Sequence, residues 1–293
     1  MVTQHSGIGL FLARSSQVNW ALCPPYSKNI TFIRKTFVGN NESGFYAYAS
    51  SPAEIGQTIE QAVYSSNSEV NTWKALDIPG HFISEKVLEG IDTCSFLVAD
   101  ISVLNFNVTY EIGYAIGKGK RVLLTKNKSV QQKSPFIREV GIFDTLGYKE
   151  YQNSSELSVF LNSAVPASPL SLPRKINIKS PVYLLEGMHK TDVATRIVSR
   201  IKKARYLFRS FDPNEQPRLS ANDAINQVAQ SHGIVVPLLS SAAVGFEVHN
   251  MRGAFIAGLA GGMSKALCIL QSGENPVPLD YSDFVSRVYY PDD

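Results

Sequence analysis

The chain has 293 residues, of which 44% are hydrophobic and 18% charged. This composition suits a globular protein with room for two domains and excludes an intrinsically disordered chain. The formal net charge of +3 is spread along the whole sequence. Because binding to a phosphate backbone requires a concentrated basic face, the charge gives no strong indication of nucleic acid as a partner.

The apolar runs and the cysteines bear on cellular location. The sequence has no signal-peptide pattern and no apolar run long enough to span a membrane. Its three cysteines, Cys23, Cys94 and Cys268, form no CxxC pair and no zinc-like spacing with histidine. We therefore expect a cytoplasmic protein with no membrane partner, no metal ion and no resident cofactor.

From residue 44 onward, predicted strands and helices alternate, after an N-terminal extension over 1–43 with short, interrupted apolar pieces. Strands are expected over 44–50, 70–76, 95–102 and 121–125, and helices over 52–66, 81–92, 108–118 and 154–164. This alternation predicts a parallel sheet with helices on both faces, in a first domain over 44–165.

A segment rich in proline and serine, "VPASPLSLPRKINIKSP", interrupts the alternation, and we predict a linker over 166–181. The alternation then resumes, which predicts a second domain over 182–293. Its strands are expected over 182–186, 206–212, 233–240 and 265–271, and its helices over 192–204, 219–231 and 251–262. The predicted fold class is α/β, with two tandem flavodoxin-like (Rossmann-like) units.

Ligands of open parallel sheets bind beyond the carboxyl ends of the strands, beside the first turns of helices. In the first domain that edge is reached by "YAYASSP", "TWKALDIPGH" and "ADISVLNFNVTYE". These segments supply hydroxyls, aromatic rings, carboxylates and an asparagine expected as the helix N-cap. The candidates are Tyr48, Ser50, Ser51, Trp73, Asp77, Asp100, Asn107 (the expected cap) and Glu111. The short loop before the helix predicts that Asp100 and Glu111 lie on the same rim.

Several of these residues also have a purely structural interpretation. Glu111 suits the helix dipole as a first-turn acid, and Asp100 can end a strand and cap the following turn. Ser50 and Ser51 are common turn residues, and Trp73 on a short strand is frequently a core residue. Structural and functional interpretations both stay open from the residues alone.

The stretch "FLVADISVLNFNVTYEIGYAIGKGKRVLL" resembles the signature of the nucleoside 2-deoxyribosyltransferase-like family, a flavodoxin-like relative of the TIR domains. In that family a strand ends in an acid, and an Asn-rich turn leads into a (Y/M)E(L/I)GYA helix, a GK turn and an apolar strand. "FYAYASSP" resembles the family's first strand and its small-residue loop. The resemblance covers about residues 45–126.

The resemblance implies a pocket for a nucleoside or nucleotide and cleavage of its N-glycosidic bond, with Glu111 at the position of the family's nucleophile. Cleavage builds positive charge on C1′ of the sugar, which a fixed carboxylate can stabilise or trap covalently. The other implied roles are base stacking for Tyr48 and Trp73, contacts to sugar hydroxyls or phosphates for Ser50, Ser51 and Asn107, and a place at the rim for Asp100.

One departure from the family leaves the reaction open. Val87 and Leu88 stand where the transferases carry an acidic residue, although Glu85 and Glu89 are near. Transfer, hydrolysis and binding alone therefore remain alternatives. The first hypothesis is an N-glycosidase, with NAD as a candidate substrate because TIR relatives hydrolyse it, and a role in bacterial defence by analogy. The alternative is a non-catalytic nucleotide-sensing module that forms homo-oligomers within a larger signalling or defence protein.

The two domains share a sequence pattern. "YAIGKGKRVLL" and "IAGLAGGMSKALCIL" both end a small-residue helix in glycines before a basic residue and an apolar strand. We predict that the second domain is a degenerate copy of the first, with an unrelated α/β domain as the alternative. The position matching Glu111 falls near Phe255 or Ile256, which predicts a non-catalytic copy. For His249, Asn250 and Arg252 we expect capping or surface roles, and phosphate binding is the alternative.

Overall fold

A computed structural model describes residues 42–76, 83–130, 135–164, 168–272, 281–282 and 285–288. Nearly all of the expected N-terminal extension lies outside these residues. Within them the chain forms two parallel sheets of five strands each, joined by helices. This confirms the predicted α/β class with two tandem Rossmann-like units. No helix in the described ranges is both long and apolar enough to cross a membrane.

The first unit has the flavodoxin-like strand order. Its strands are β1 (Gly44–Ala47), β2 (Val70–Thr72), β3 (Phe96–Asp100), β4 (Arg121–Asn127) and β5 (Tyr148–Tyr151). Its helices are α1 (Ala53–Ser65), α2 (Ile83–Thr93), α3 (Phe106–Gly117), α4 (Pro135–Val140) and α5 (Ser154–Ser163). The strands lie in the order β2-β1-β3-β4-β5, all parallel. The order reverses direction between β1 and β3, which makes that crevice the expected ligand position.

Helices cover both faces of the first sheet, and its central strands β1 and β3 are buried at every position. Phe45 and Ala47 pack into one core cluster with α2 and α3, whereas Tyr46 packs into a second cluster with α1 and α5. Side chains alternate between the two faces along a strand. The nearly continuous apolar runs of β1 and β3 are therefore what a sheet buried on both sides requires.

The second unit repeats this topology. Its strands are β6 (Val182–Leu185), β7 (Phe208–Phe211), β8 (Gly233–Leu238), β9 (Ala266–Ser272) and β10 (Val285–Val288). Its helices are α6 (Asp192–Lys203), α7 (Ala221–Ala229) and α8 (Phe246–Gly262). The order β7-β6-β8-β9-β10 matches the first sheet strand for strand. The direction of winding again reverses between two central strands, here β6 and β8.

The two units meet through α3 and α8, within one compact part of the chain, residues 41–293. Gly113 and Gly117 of α3 face the backbone of α8, and Gly258 and Gly262 of α8 face the backbone of α3. One core cluster extends from the first sheet through both helices to the second sheet. Because α8 is enclosed by its own sheet and by α3, it is apolar around most of its circumference.

The basic residue after each glycine-containing helix end has a structural role. The Lys120 ammonium donates to the carbonyl oxygens of Asp92 and Cys94 at the end of α2, 2.7 Å from each. The Lys265 ammonium donates to the carbonyl oxygen of Ala229, the last residue of α7, at 2.8 Å. Cations at helix C-termini satisfy free carbonyls and complement the dipole. The shared sequence pattern therefore reflects a shared packing arrangement.

Some boundaries differ from the sequence predictions. β2 ends at Thr72, and the chain continues as a 3₁₀ helix over Trp73–Leu76. α8 begins at Phe246, five residues before the predicted start. Three elements were not predicted at all, because α4 has only six residues, β5 is mostly polar and exposed, and β10 has four residues near the chain end.

Candidate functional site

A cavity of about 200 Å³ lies at the crevice between β1 and β3, beyond their carboxyl ends. The loops after β1, β2 and β3 contribute to its wall, together with α2 and the first turns of α3. Its lining residues are Tyr48, Ser50, Trp73, Ile83, Val87, Asn105, Asn107, Val108 and Glu111. The structure thus brings together five of the eight predicted site residues at the position where an open parallel sheet binds ligands.

Glu111 reaches this cavity from the second turn of α3. The helix begins after Asn105, whose side-chain oxygen accepts a hydrogen bond from the Val108 N–H at 2.7 Å. Asn105 is therefore the N-cap, and the prediction that Asn107 has this role is wrong. The Glu111 side chain is only 7% exposed although it lines the cavity. A buried carboxylate needs a structural partner or a ligand, because burial disfavours its charge.

An aromatic pair forms another wall of the cavity. The rings of Tyr48 and Trp73 have centroids 5.7 Å apart and are tilted by 43°. The Tyr48 hydroxyl donates to the carboxylate of Glu60 on α1. Burial, followed by the bond to Glu60, raises the pKa of Tyr48 well above its usual range. The phenol is therefore neutral and held in place, so that this residue offers the cavity a fixed ring.

Asn107 brings an acceptor atom into the lining. Its side-chain oxygen Oδ1 is buried and accepts no hydrogen bond from any residue that the structure describes. Buried polar atoms in folded proteins nearly always have a partner, so an exception calls for an explanation. A donor group on a ligand, such as a sugar hydroxyl, would satisfy this oxygen.

The three remaining candidates do not join Glu111 at the cavity. Ser51 is exposed, precedes a cis peptide bond to Pro52 and is not among the lining residues. Asp77 lies outside the described residues. Asp100 is 2% exposed and does not line this cavity. The expectation that Asp100 shares a rim with Glu111 is therefore not met.

Asp100 instead belongs to a buried hydrogen-bond network at the end of the sheet. Its carboxylate accepts bonds from the hydroxyl of Tyr151 at 2.8 Å, from the hydroxyl of Thr125 at 3.3 Å and from the N–H of Ser102 at 2.9 Å. The Thr125 hydroxyl is also 2.7 Å from the Tyr46 hydroxyl. Burial raises the pKa of Asp100, and the hydrogen bonds partly offset that increase. Its observed contacts give it a structural role.

Sequence reasoning missed the apolar part of the lining. Ile83 and Val87 face the cavity from α2, and Val108 faces it from α3. The helical spacing of Ile83 and Val87 was visible in the sequence, but it predicted only a core-facing side. Asn105 was also missed, because the run "NFN" offers two asparagines as possible caps.

The second unit lacks a carboxylate at the position of Glu111. Gly113 and Gly258 occupy corresponding positions, because each meets the backbone of the other helix in the same way. Counting back two residues from each gives Glu111 and Ile256, and Ile256 is fully buried. The helix packing is thus compatible with an apolar residue there, and packing between the units does not explain the carboxylate of Glu111.

The first cavity therefore combines one carboxylate, a fixed aromatic pair and an amide acceptor with a mainly apolar lining. Such an arrangement can hold a cationic or charge-developing group against the carboxylate, while the rings pack on a planar group. In the described part of the chain, no three His, Cys, Asp or Glu side chains cluster in a way that could hold a metal ion. Comparisons with protein-family models and with curated proteins find no match to this chain.

Proposed function

We propose that the first unit cleaves the N-glycosidic bond of a nucleoside or nucleotide, with Glu111 as the catalytic carboxylate. The observation that carries the proposal is the burial of Glu111 in a cavity at the crevice between β1 and β3. The (Y/M)E(L/I)GYA pattern resembles that of the deoxyribosyltransferase-like family, in which the matching glutamate is the nucleophile. The position and the pattern are independent arguments for the same residue.

The other lining residues suit the parts of such a substrate. As the ribosyl–base bond lengthens, positive charge develops at C1′ and the ring oxygen, and the Glu111 carboxylate stabilises it or forms a covalent bond to C1′. Asn107 Oδ1 accepts a hydrogen bond from a sugar hydroxyl, and the Tyr48–Trp73 pair packs against the base. The cavity is smaller than the roughly 300–1,000 Å³ usual for a whole ligand, so we assign it to the sugar and the part of the base that meets the Tyr48–Trp73 pair.

Hydrolysis is favoured over transfer by the side of the cavity that α2 forms. Ile83 and Val87 are apolar, and Val87 stands near the position where the transferases carry an acid. Among the described lining residues on that side none is a carboxylate that could assist an incoming base, so water is the simpler acceptor. NAD is one candidate substrate through the resemblance to the TIR domains.

The test measures release of free base from NAD and from a panel of ribo- and deoxyribonucleosides by chromatography. We expect release by the native chain and a loss of about 100-fold or more in Glu111→Gln, as for removal of a group that stabilises transition-state charge. Glu54→Gln is the matched control, because Glu54 is an exposed acid in the first turn of α1. Undiminished release by Glu111→Gln would refute the assignment.

Two further measurements separate the alternatives. Exchange of a labelled free base into the substrate would indicate transfer instead of hydrolysis. Absence of release, together with ligand-dependent thermal stabilisation that Trp73→Ala abolishes, would favour the non-catalytic sensing module. Sedimentation with and without ligand then tests whether that module assembles into homo-oligomers.

A further inference from the structure

A second and larger cavity lies at the corresponding edge of the second sheet. Its volume is about 670 Å³, within the usual range of about 300–1,000 Å³ for small-molecule sites. Its walls come from the loops after β6, β7 and β8, the first turns of α8 and the end of α4 from the first unit. Its charged and titratable lining residues are Arg138, Glu139, Arg218, His249 and Arg252.

This cavity occupies the same topological position as the first one. Met188 follows β6 as Ser50 follows β1, and Leu239 follows β8, the counterpart of β3. The sheet order reverses direction between β6 and β8, which is where doubly wound sheets hold their ligands. The second unit thus has no carboxylate at the position matching Glu111 but has a cavity at its crevice.

The charge of this cavity is opposite to that of the first. Three arginines and one glutamate line it, which leaves two positive charges in excess, since His249 is neutral. Burial is the main cause that lowers the pKa of His249 to about 4, and its Nε2 lies 2.6 Å from the Pro237 carbonyl oxygen. The Arg218 guanidinium also lies 3.5 Å from the Asp144 carboxylate. An exposed ion pair of this kind contributes little to stability.

Arg252 is the buried member of this cationic set, at 4% exposure. Its guanidinium donates to the carbonyl oxygens of Val140 at 3.0 Å and Pro217 at 2.7 Å, and it stacks over the Phe211 ring at 5.0 Å. Burial lowers its pKa to about 10, so that it remains charged near neutral pH. Because all these partners are neutral, its positive charge is not compensated by them.

The remaining lining is apolar. Met188, Leu239, Val244 and Val248 form surfaces that suit a planar or aliphatic group, and Gly245 offers no side chain at the start of α8. A cavity with apolar walls and an excess of arginine favours a ligand that combines a hydrophobic ring with an anion. A nucleotide has both parts, and arginine is well suited to binding phosphate oxygens through two hydrogen bonds.

We propose that this second cavity is a binding site for a nucleoside phosphate, with the phosphates on the arginines and the base against the apolar wall. The site is separate from the Glu111 cavity and does not depend on the reaction proposed there. It is built jointly by both units, because Arg138 and Glu139 belong to α4 and the other lining residues belong to the second unit.

The test is calorimetric titration of the purified chain with the four common nucleoside diphosphates, the matching nucleosides and inorganic pyrophosphate. We expect at least one diphosphate to bind more tightly than its nucleoside and more tightly than pyrophosphate, with an affinity that falls as salt rises. The double variant Arg138→Glu, Arg218→Glu changes two exposed side chains and should weaken that binding by about tenfold or more. Arg200→Glu on α6 is the control for a charge reversal at an exposed arginine away from the cavity.

Two outcomes would overturn the proposal. One is that none of the diphosphates binds to the native chain. The other is that a diphosphate binds equally well to the double arginine variant. Loss of that binding in Trp73→Ala would then place the diphosphate in the first cavity. Base release is measured separately, so failure of the Glu111 assignment leaves this result unaffected. Circular dichroism of each variant checks that the fold is retained.

Discussion

Gly258 on α8 lies directly against the backbone of Tyr110 on α3. A Cβ atom at Gly258 would overlap the Tyr110 carbonyl oxygen and would lie 2.8 Å from the N–H nitrogen of Tyr114. Gly113 makes the reciprocal approach to Phe255 and Leu259. Two helices can approach this closely only where neither has a side chain, so these glycines determine how the two units pack.

We predict that Gly258→Ala and Gly113→Ala each destabilise the protein by about 1–3 kcal/mol, since the added methyl group meets rigid backbone. In an ordinary helix interior the same change stabilises by about 1 kcal/mol, so a loss of stability would distinguish close packing from an ordinary helix position. Urea unfolding gives the free energy, and Gly147→Ala is the control because no atom lies within 4 Å of a Cβ there. Stabilisation in both helical variants would contradict the close packing.

The buried carboxylate of Asp100 provides a pH-dependent prediction. Burial raises its pKa in the folded chain above the ordinary value of about 4. Its contribution to stability is therefore fully present below the ordinary pKa and is lost as the pH rises through the folded value. We expect the stability of Asp100→Asn relative to the native chain to increase from pH 4 to pH 7.5, because the amide does not become charged.

Denaturant unfolding at these two pH values tests this expectation for Asp100→Asn. The hydroxyls of Thr125 and Tyr151 can accept an N–H from the amide instead of donating to a carboxylate. Asp192→Asn, at an exposed position in α6, controls for the general effect of removing a carboxylate. An equal increase in relative stability in both variants would mean that burial of Asp100 is not the cause.

Asp100 also shows where sequence reasoning reaches its limit. Its position at the end of a buried strand was predictable from the apolar run before it. The direction of its side chain was not, because the bond from Tyr151 comes from β5, a short and mostly exposed strand with no apolar alternation. Likewise, the second cavity depends on Arg138 in α4, and a six-residue helix has too few turns to produce a periodic pattern.

The central elements were predictable for a clear physical reason. Strands such as β3 and β8 are buried on both faces, so their sequences are unambiguous apolar runs, and the helices between them carry apolar residues at helical spacing. The candidate site was predictable to the extent that it follows from topology, since Tyr48, Trp73 and Glu111 all stand near the sheet edge. Which residues face the cavity depends on side-chain packing that the pattern does not encode.

His249 should make the protein less stable in mild acid. Its pKa in the folded chain is lowered to about 4, chiefly by burial, so its neutral form is the one that the fold requires. This contribution to stability is complete above the ordinary pKa of about 6.5 and is lost as the pH falls toward 4, at about 1.4 kcal/mol per unit. Unfolding measured at pH 7 and pH 5 should show a loss of about 2 kcal/mol that His249→Gln lacks.

His249→Gln is suitable because the glutamine amide can donate to the Pro237 carbonyl without titrating. His232→Gln, at the residue before β8, is the comparison variant, and the loss of stability in acid should persist in it. If the native chain and His249→Gln lose the same free energy between the two pH values, another group is responsible.

The two lysines that cap helix ends offer a matched pair of tests. Lys120→Met and Lys265→Met remove charge-assisted hydrogen bonds to carbonyls at the ends of α2 and α7 while keeping much of the side-chain volume. We expect each variant to lose about 1–2 kcal/mol of unfolding free energy. Lys175→Met in the exposed connecting segment should lose almost nothing. Thermal unfolding of the three variants side by side makes the comparison.

Asn107 tests whether the first cavity is built for a ligand at the expense of stability. Its buried Oδ1 has no partner among the described residues, and an unsatisfied buried acceptor costs about 1–3 kcal/mol. We therefore expect Asn107→Leu to be as stable as the native chain or more stable, while base release or ligand binding falls. If Asn107 only supported the fold, the variant would instead be less stable than the native chain. The pair of measurements, urea unfolding and base release on the same preparation, therefore separates a binding role for Asn107 from a structural one.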